Sequence, residues 1–280
     1  MLISYLQKAI KITNDNFVVV LPLVAFYIIL HLYMILMGQN ADTGIKSIIV
    51  LLTVTFMIAV FVAGWLYMIK QAVDLSKQEF VMDEEAVKAH LGLLKDFPVG
   101  VGKFFLSFVG QIVVGFILLI ITTFFLVKLG INLFGIVDFS PEQIAYFSDA
   151  SRDMTKITDF IKESQINTIL KWGMLFFGAT FLISYLVMFW APEIIYKTTN
   201  PLKAFIESIV KLFKNPLKSF GLYVLINVFY FILSIIVTLT ANILVLYYFF
   251  SIVSLYFVVY VVVLIFTYFE GEFVGKNEED

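Results

Sequence analysis

Asn200-Pro201-Leu202-Lys203-Ala204-Phe205-Ile206-Glu207-Ser208-Ile209-Val210-Lys211-Leu212-Phe213-Lys214-Asn215-Pro216 is the stretch on which the rest of the chain is organised. Asn200 carries a side chain suited to cap a helix. Pro201 suits the first turn, because an N–H there has no helical partner to lose. Leu202, Phe205, Ile206, Ile209, Leu212 and Phe213 recur at helical spacing and share one face, with Lys203, Glu207, Lys211 and Lys214 on the other. Asn215-Pro216 ends the helix, and a long uncharged run begins at Ser219. An amphipathic helix with lysines on its polar side, joined directly to an apolar run, is predicted to lie in a membrane interface. Phe205, Ile209 and Leu212 then face the neighbouring spans and the acyl boundary, and Lys203 and Lys211 face the headgroups.

Composition agrees with a membrane setting. The 280 residues are 61% hydrophobic and 14% charged, with a mean hydropathy of +0.97. Soluble domains average about 45–50% apolar and about 25% charged residues. A net charge of -2 leaves no basic field to attract nucleic acid. Of the 19 basic residues only Arg152 is an arginine; bidentate anion sites favour Arg, so the lysines read as compositional bias. The absence of cysteine removes disulfides, thiolate metal sites and thiol catalysis together. The first apolar run is too long for a cleavable signal peptide and lacks a small-residue cleavage site, so none is expected.

Taken in order, residues 1–13 form a short amphipathic helix interrupted by Asn14-Asp15-Asn16, followed by a first span over 17–41. Residues 38–44 make a turn, and 47–69 the second span. A helix over 84–97 is expected to end at Pro98, and 104–127 is the third span. Residues 128–171 form the longest polar segment. Within it Ser140-Pro141-Glu142-Gln143 has the pattern of a capping box, and Met154, Ile157, Phe160 and Ile161 give a second helical stripe. The fourth span covers 172–192. Residues 219–269 contain no charge, and a single helix of those 51 residues would be about 77 Å long. They are therefore two spans, with the turn at 238–242. The acidic end, 270–280, is expected to be a disordered tail. Counting Lys and Arg places thirteen inside and six outside when both termini are cytoplasmic, with the 128–171 loop outside.

Residues 2–16, 84–98 and 202–216 share a pattern. Tyr5/Ala9/Ile12, Val87/Leu91/Leu94 and Phe205/Ile209/Leu212 occupy matching positions, and Asn16, Pro98 and Pro216 close each copy before a span. The reading is an all-α polytopic integral membrane protein of one transmembrane domain. Its six transmembrane helices form three elbow-helix-plus-hairpin units, 1–83, 84–200 and 201–270. Any interfacial helix before a span would show similar spacing, which is the alternative to a repeat. On the junctions Leu94-Lys95-Asp96-Phe97-Pro98 and Leu212-Phe213-Lys214-Asn215-Pro216, the chain resembles a broad group of six-span bacterial membrane proteins. The group includes the membrane domains fused to some glycerophosphodiester phosphodiesterases and relatives of unknown function. The resemblance implies an architecture and a multi-pass protein of the plasma membrane; no phosphodiesterase domain is present to carry that activity over.

Chemistry-bearing residues are sparse. His31 is the one ionisable side chain well inside a predicted span, which makes it a ligand candidate. With no carboxylate or second His in any span to form a relay, a neutral His bonded to a neighbouring helix is the alternative. Gln111 and Asn227 are further ligand candidates inside spans, and Ser107, Gln111 and Gly115 form a stripe suited to close helix contact. Glu193 and Lys197 form an i, i+4 pair. His90 has no ligand partner at i±4, and no metal site, cofactor site or catalytic motif is present. The sequence thus predicts a non-enzymatic membrane scaffold or accessory subunit, binding a protein partner through its cytoplasmic elbows or outer loop, with membrane lipids around it. The alternative is a carrier or transporter of an amphipathic or lipid-like molecule.

Overall fold

The computed structural model describes residues 2–38, 44–78, 80, 82–148 and 161–275, and every regular element among them is a helix. Most of the turn expected at 38–44, and the stripe residues Met154, Ile157 and Phe160, lie outside the described residues. The helices are α1 (Leu2–Asp15), α2 (Val20–Gly38), α3 (Gly44–Leu75), α4 (Asp83–Gly92), α5 (Asp96–Phe134), α6 (Pro141–Ser148), α7 (Glu163–Val187), α8 (Trp190–Tyr196), α9 (Pro201–Lys214), α10 (Pro216–Thr240) and α11 (Leu244–Phe273). Short 3₁₀ turns at Phe17–Val19 and Leu93–Lys95 precede α2 and α5. Six helical stretches are long and apolar enough to cross a membrane: Phe17–Met37, Gly44–Leu75, Glu84–Phe134, Glu163–Tyr196, Pro216–Thr240 and Leu244–Phe273.

Local chemistry sets the ends of these helices. The Asn200 side chain accepts from the backbone N–H of Leu202 at 3.0 Å and of Lys203 at 3.1 Å, and Pro201 is the first residue of α9. The uncharged run breaks after Thr240, where Ala241, Asn242 and Ile243 connect α10 to α11. Ser140 and Gln143 form the reciprocal capping box: the Ser140 N–H donates to Oε1 of Gln143 at 2.9 Å, and the Gln143 N–H donates to the Ser140 hydroxyl at 3.3 Å.

Three boundaries differ from the sequence reading. Pro98 does not end a helix; it lies in the first turn of α5, where a missing N–H costs nothing, so α5 starts at Asp96. Helices α5 and α7 continue to Phe134 and from Glu163, so residues 128–134 and 163–171 are helix rather than loop. Helix α11 continues to Phe273, so the stretch Glu270–Phe273 is not tail. Its apolar stripe, Phe266, Phe269 and Phe273, is buried and carries Glu270 and Glu272 with it.

Contacts divide the chain into two compact units, Met1–Val114 with Leu186–Asp280, and Gly115–Tyr185. In the second, the side-chain amides of Gln143 and Gln165 bond reciprocally at 3.0 and 3.1 Å, joining the starts of α6 and α7. The Trp172 indole donates to the Gly135 carbonyl at 3.1 Å.

In the first unit, buried side chains concentrate in the second halves of α3 and α11, in α8, and along one side each of α1 and α9. Helix α1 packs on the end of α11, with the Tyr5 ring edge-on to Tyr268 at 5.3 Å. Gly271 makes that approach possible, since a Cβ there would lie 2.6 Å from the Tyr5 hydroxyl. Helix α9 packs on α8. Phe205 meets Trp190 with ring centroids 4.9 Å apart, and the Trp190 indole donates to the Pro201 carbonyl at 2.8 Å. The 3₁₀ turn Leu93–Lys95 packs on α3. Phe189 stacks on Tyr268 at 5.7 Å and meets Phe269 and Phe273 edge-on, so the start of α8 and the end of α11 share one aromatic cluster.

The second of the three aligned segments behaves differently from the other two. Ala9, Ile12 and Leu212 are fully buried, yet Val87 is 57% and Leu91 58% exposed. In this segment the buried residue is Leu93, because α4 gives way to a tighter 3₁₀ turn that rotates the face by part of a turn.

Candidate functional site

Sequence candidates for ligand binding do not converge. His31 lies on an exposed side of α2, with its ring stacked over Tyr27 one turn back at 6.2 Å, rather than bonded to a neighbouring helix as expected. Asn227 donates to the Tyr223 carbonyl of its own helix at 2.8 Å. Gln111 is half-buried on α5, one residue from the real close contact. That contact is at Gly110, where a Cβ would lie 2.7 Å from the Pro201 ring. None of His31, Gln111 and Asn227 lines the cavities described below. His90 has its Nδ1 2.6 Å from Oδ1 of Asn16, and the Asn16 amide nitrogen donates to the Ile12 carbonyl. Oδ1 is therefore the acceptor and His90 the donor, which fastens α4 to the end of α1. Among the described residues no group of three His, Cys, Asp or Glu lies close enough to hold a metal ion.

On the predicted apolar face of α9, Leu212 is buried and Phe205 and Ile209 are half-buried, while Leu202, Ile206 and Phe213 are exposed. Lys203 is exposed and pairs loosely with Glu207 at 3.7 Å. Lys211 is a correction: it does not face outward but pairs with Glu193, whose side chain is 0% exposed, while its ammonium lies 4.8 Å from the centre of the Phe269 ring. Glu193 thus turns to Lys211 rather than to Lys197, which it engages only through the backbone.

A second set of charges sits between α3 and α11. Lys70 pairs with Asp74 at 2.6 Å, and Lys77 pairs with Asp74 at 3.1 Å and with Glu270. Nearby, Tyr5 donates to Glu272 at 3.2 Å, and Asn215 donates to its other oxygen at 3.4 Å. Burial, then the charge of Glu272 and the hydrogen bond to it, push the Tyr5 phenol from 10.0 up to about 12. Burial alone would lower Lys77, but hydrogen bonds to Glu270 and Asp74 outweigh it and hold the ammonium above its ordinary value.

Two cavities of contrasting chemistry adjoin these elements. The first, of about 690 Å³, is lined by Lys8, Lys70, Lys77 and Lys103 with Asp74, Glu270, Tyr67 and Tyr196. The second, of about 470 Å³, is an apolar groove between α2, α3 and the start of α5, walled by side chains including Pro22, Phe26, Phe56, Val60, Phe61 and Phe97. A cleft of about 310 Å³ shares Phe56 and Val60 with the groove and Lys103 with the basic cavity.

Sequence reasoning missed Lys77, Lys103, Glu270 and Glu272 as members of this site. The one signal present was that the Phe266, Phe269 and Phe273 stripe runs past the first acidic residue, which places those carboxylates on a packed helix. Comparison with protein-family models, with curated proteins and with solved structures finds no match to this chain.

Proposed function

We propose that the chain is a multi-pass protein of the plasma membrane that holds an amphipathic, lipid-like molecule, without catalysis, in the groove between α2, α3 and α5. The observation that carries this reading is the groove itself: about 470 Å³ with almost wholly apolar walls, two of whose side chains, Phe56 and Val60, also line a cleft that shares Lys103 with the lysine-lined cavity. An acyl chain suits the first and a polar headgroup the second. Both termini and the three elbow helices lie on the cytoplasmic side, where lysines are in excess. Support for three elbow-plus-hairpin units comes from where each interfacial segment rests: α1 on α11, the Leu93–Lys95 turn on α3, and α9 on α8. Each lies against the closing span of another unit, and the first against the last, as a cyclic repeat requires.

Native mass spectrometry of the purified chain tests the reading. Wild type is expected to retain lipid. Ala25→Trp, at an exposed groove-lining position, is expected to lower retention while leaving the fold intact. Equal retention by both would contradict the groove assignment.

A scaffold that docks a protein partner is the second reading, and one observation favours it. Val87 and Leu91 form an apolar row on α4 that nothing else in the described chain covers. A stoichiometric protein, rather than lipid, released from the native complex would support it.

A further inference from the structure

Lysines around the larger cavity are not equivalent. Lys70 and Lys77 are neutralised by Asp74 and Glu270, the two carboxylates in the wall. Lys8 of α1 and Lys103 of α5 form no ion pair among the described residues, although Asp96 lies within electrostatic reach of Lys103, and they reach the same cavity from helices far apart in sequence. Lys103 donates to the Tyr67 hydroxyl at 3.3 Å and its ammonium lies 5.1 Å from that ring's centre, a contact that fixes the charge without cancelling it. Tyr196 lines the same cavity, and its hydroxyl is buried without a hydrogen-bond partner. Two cations without an ion pair among the described residues, at one cavity, are the complement of an anion with several acceptor oxygens. Lysines elsewhere do not share this arrangement: Lys203 and Lys214 sit on the exposed face of α9.

We propose that this cavity binds a phosphate-bearing anion, held between Lys8 and Lys103. The source is either the headgroup of an anionic phospholipid or free phosphate; the lipid source rests on the reading of the groove given above. Lys103 is the hinge between the two parts, since it also lines the cleft that shares Phe56 and Val60 with the groove. A headgroup at Lys103 therefore leaves its acyl chain beside the apolar wall.

The test uses the full chain in nanodiscs of equimolar phosphatidylglycerol and phosphatidylcholine, with retained lipid counted by native mass spectrometry. Wild type is expected to prefer phosphatidylglycerol by about thirtyfold, as two lysines at about 1 kcal/mol each imply. Lys8→Gln/Lys103→Gln is expected to bring that ratio to near one, while Lys203→Gln/Lys214→Gln keeps it. Lys8→Gln alone, at an exposed position, gives a partial loss and guards against misfolding of the double variant. In a second arm, melting temperature is followed with inorganic phosphate at constant ionic strength. A rise in wild type that Lys8→Gln/Lys103→Gln removes, without any lipid preference, identifies free phosphate as the source. Unchanged behaviour of Lys8→Gln/Lys103→Gln in both arms overturns the site. If that variant keeps the lipid preference while Ala25→Trp abolishes retention, the anion site fails and the groove stands. If the lysine variant loses the preference while Ala25→Trp retains all its lipid, the groove fails and the anion site stands.

Discussion

Single charges decide more here than their exposure in the sequence suggests. Lys203 and Lys211 share the polar stripe of one helix, yet Lys203 stays in solvent while Lys211 neutralises a fully buried carboxylate. Removing one partner of a buried pair leaves the other uncompensated and typically costs about 3–5 kcal/mol, whereas an exposed pair is worth about 0–1 kcal/mol. Lys211→Gln is thus expected to lower the melting temperature in detergent sharply and Lys203→Gln hardly at all. A Lys211→Met/Glu193→Gln double variant is expected to recover much of the loss. Tyr5 gives a pH signature. Its folded value lies above its unfolded one, so its contribution is complete below about pH 10 and lost as pH rises through about 12. Wild type is expected to lose melting temperature faster than Tyr5→Phe across that window; parallel curves would show that burial beside Glu272 does not raise the Tyr5 phenol in the folded protein.

At the scale of elements, the interfacial helices differ in how firmly they are held. Leu212→Ala in α9 removes a buried side chain and is expected to cost about 2–5 kcal/mol. Leu91→Ala in α4, at the position aligned with Ile209, is expected to stay within about 0.5 kcal/mol, because that side chain is exposed. Thermal melts of the two variants side by side check the contrast; equal losses would mean that α4 is covered in the detergent-solubilised protein. Much of this level was legible in the sequence. The Asn200 cap, the Ser140 capping box and the split of the uncharged run near 238–242 all rest on local backbone chemistry, which a sequence states directly. The fate of Pro98, Glu270 and Leu91 was not legible. Each depends on whether a helix continues or tightens by a fraction of a turn against a distant neighbour, and no local signal carries that. The site was less legible still, because Lys8 and Lys103 are unremarkable residues until α1 and α5 bring them to one cavity.

For the whole molecule, six helices long and apolar enough to cross a membrane suit a bilayer. Lipid tails offer no hydrophobic driving force between spans, so association there relies on close packing and polar contacts. Those contacts gather where α1, α8 and α9 meet α3 and α11. The central proposal, from the lysine excess, is that the interfacial helices α1, α4 and α9 face the cytoplasm and the 128–171 segment faces out. With no native cysteine, one experiment tests it: Asp138→Cys, Lys197→Cys and Glu84→Cys, each alone, exposed to a membrane-impermeant thiol reagent on sealed cells. The expected result is labelling of Asp138→Cys only, with the other two reacting after lysis. Labelling of Lys197→Cys or Glu84→Cys in intact cells would contradict the orientation, and with it the placing of all three interfacial helices on one side.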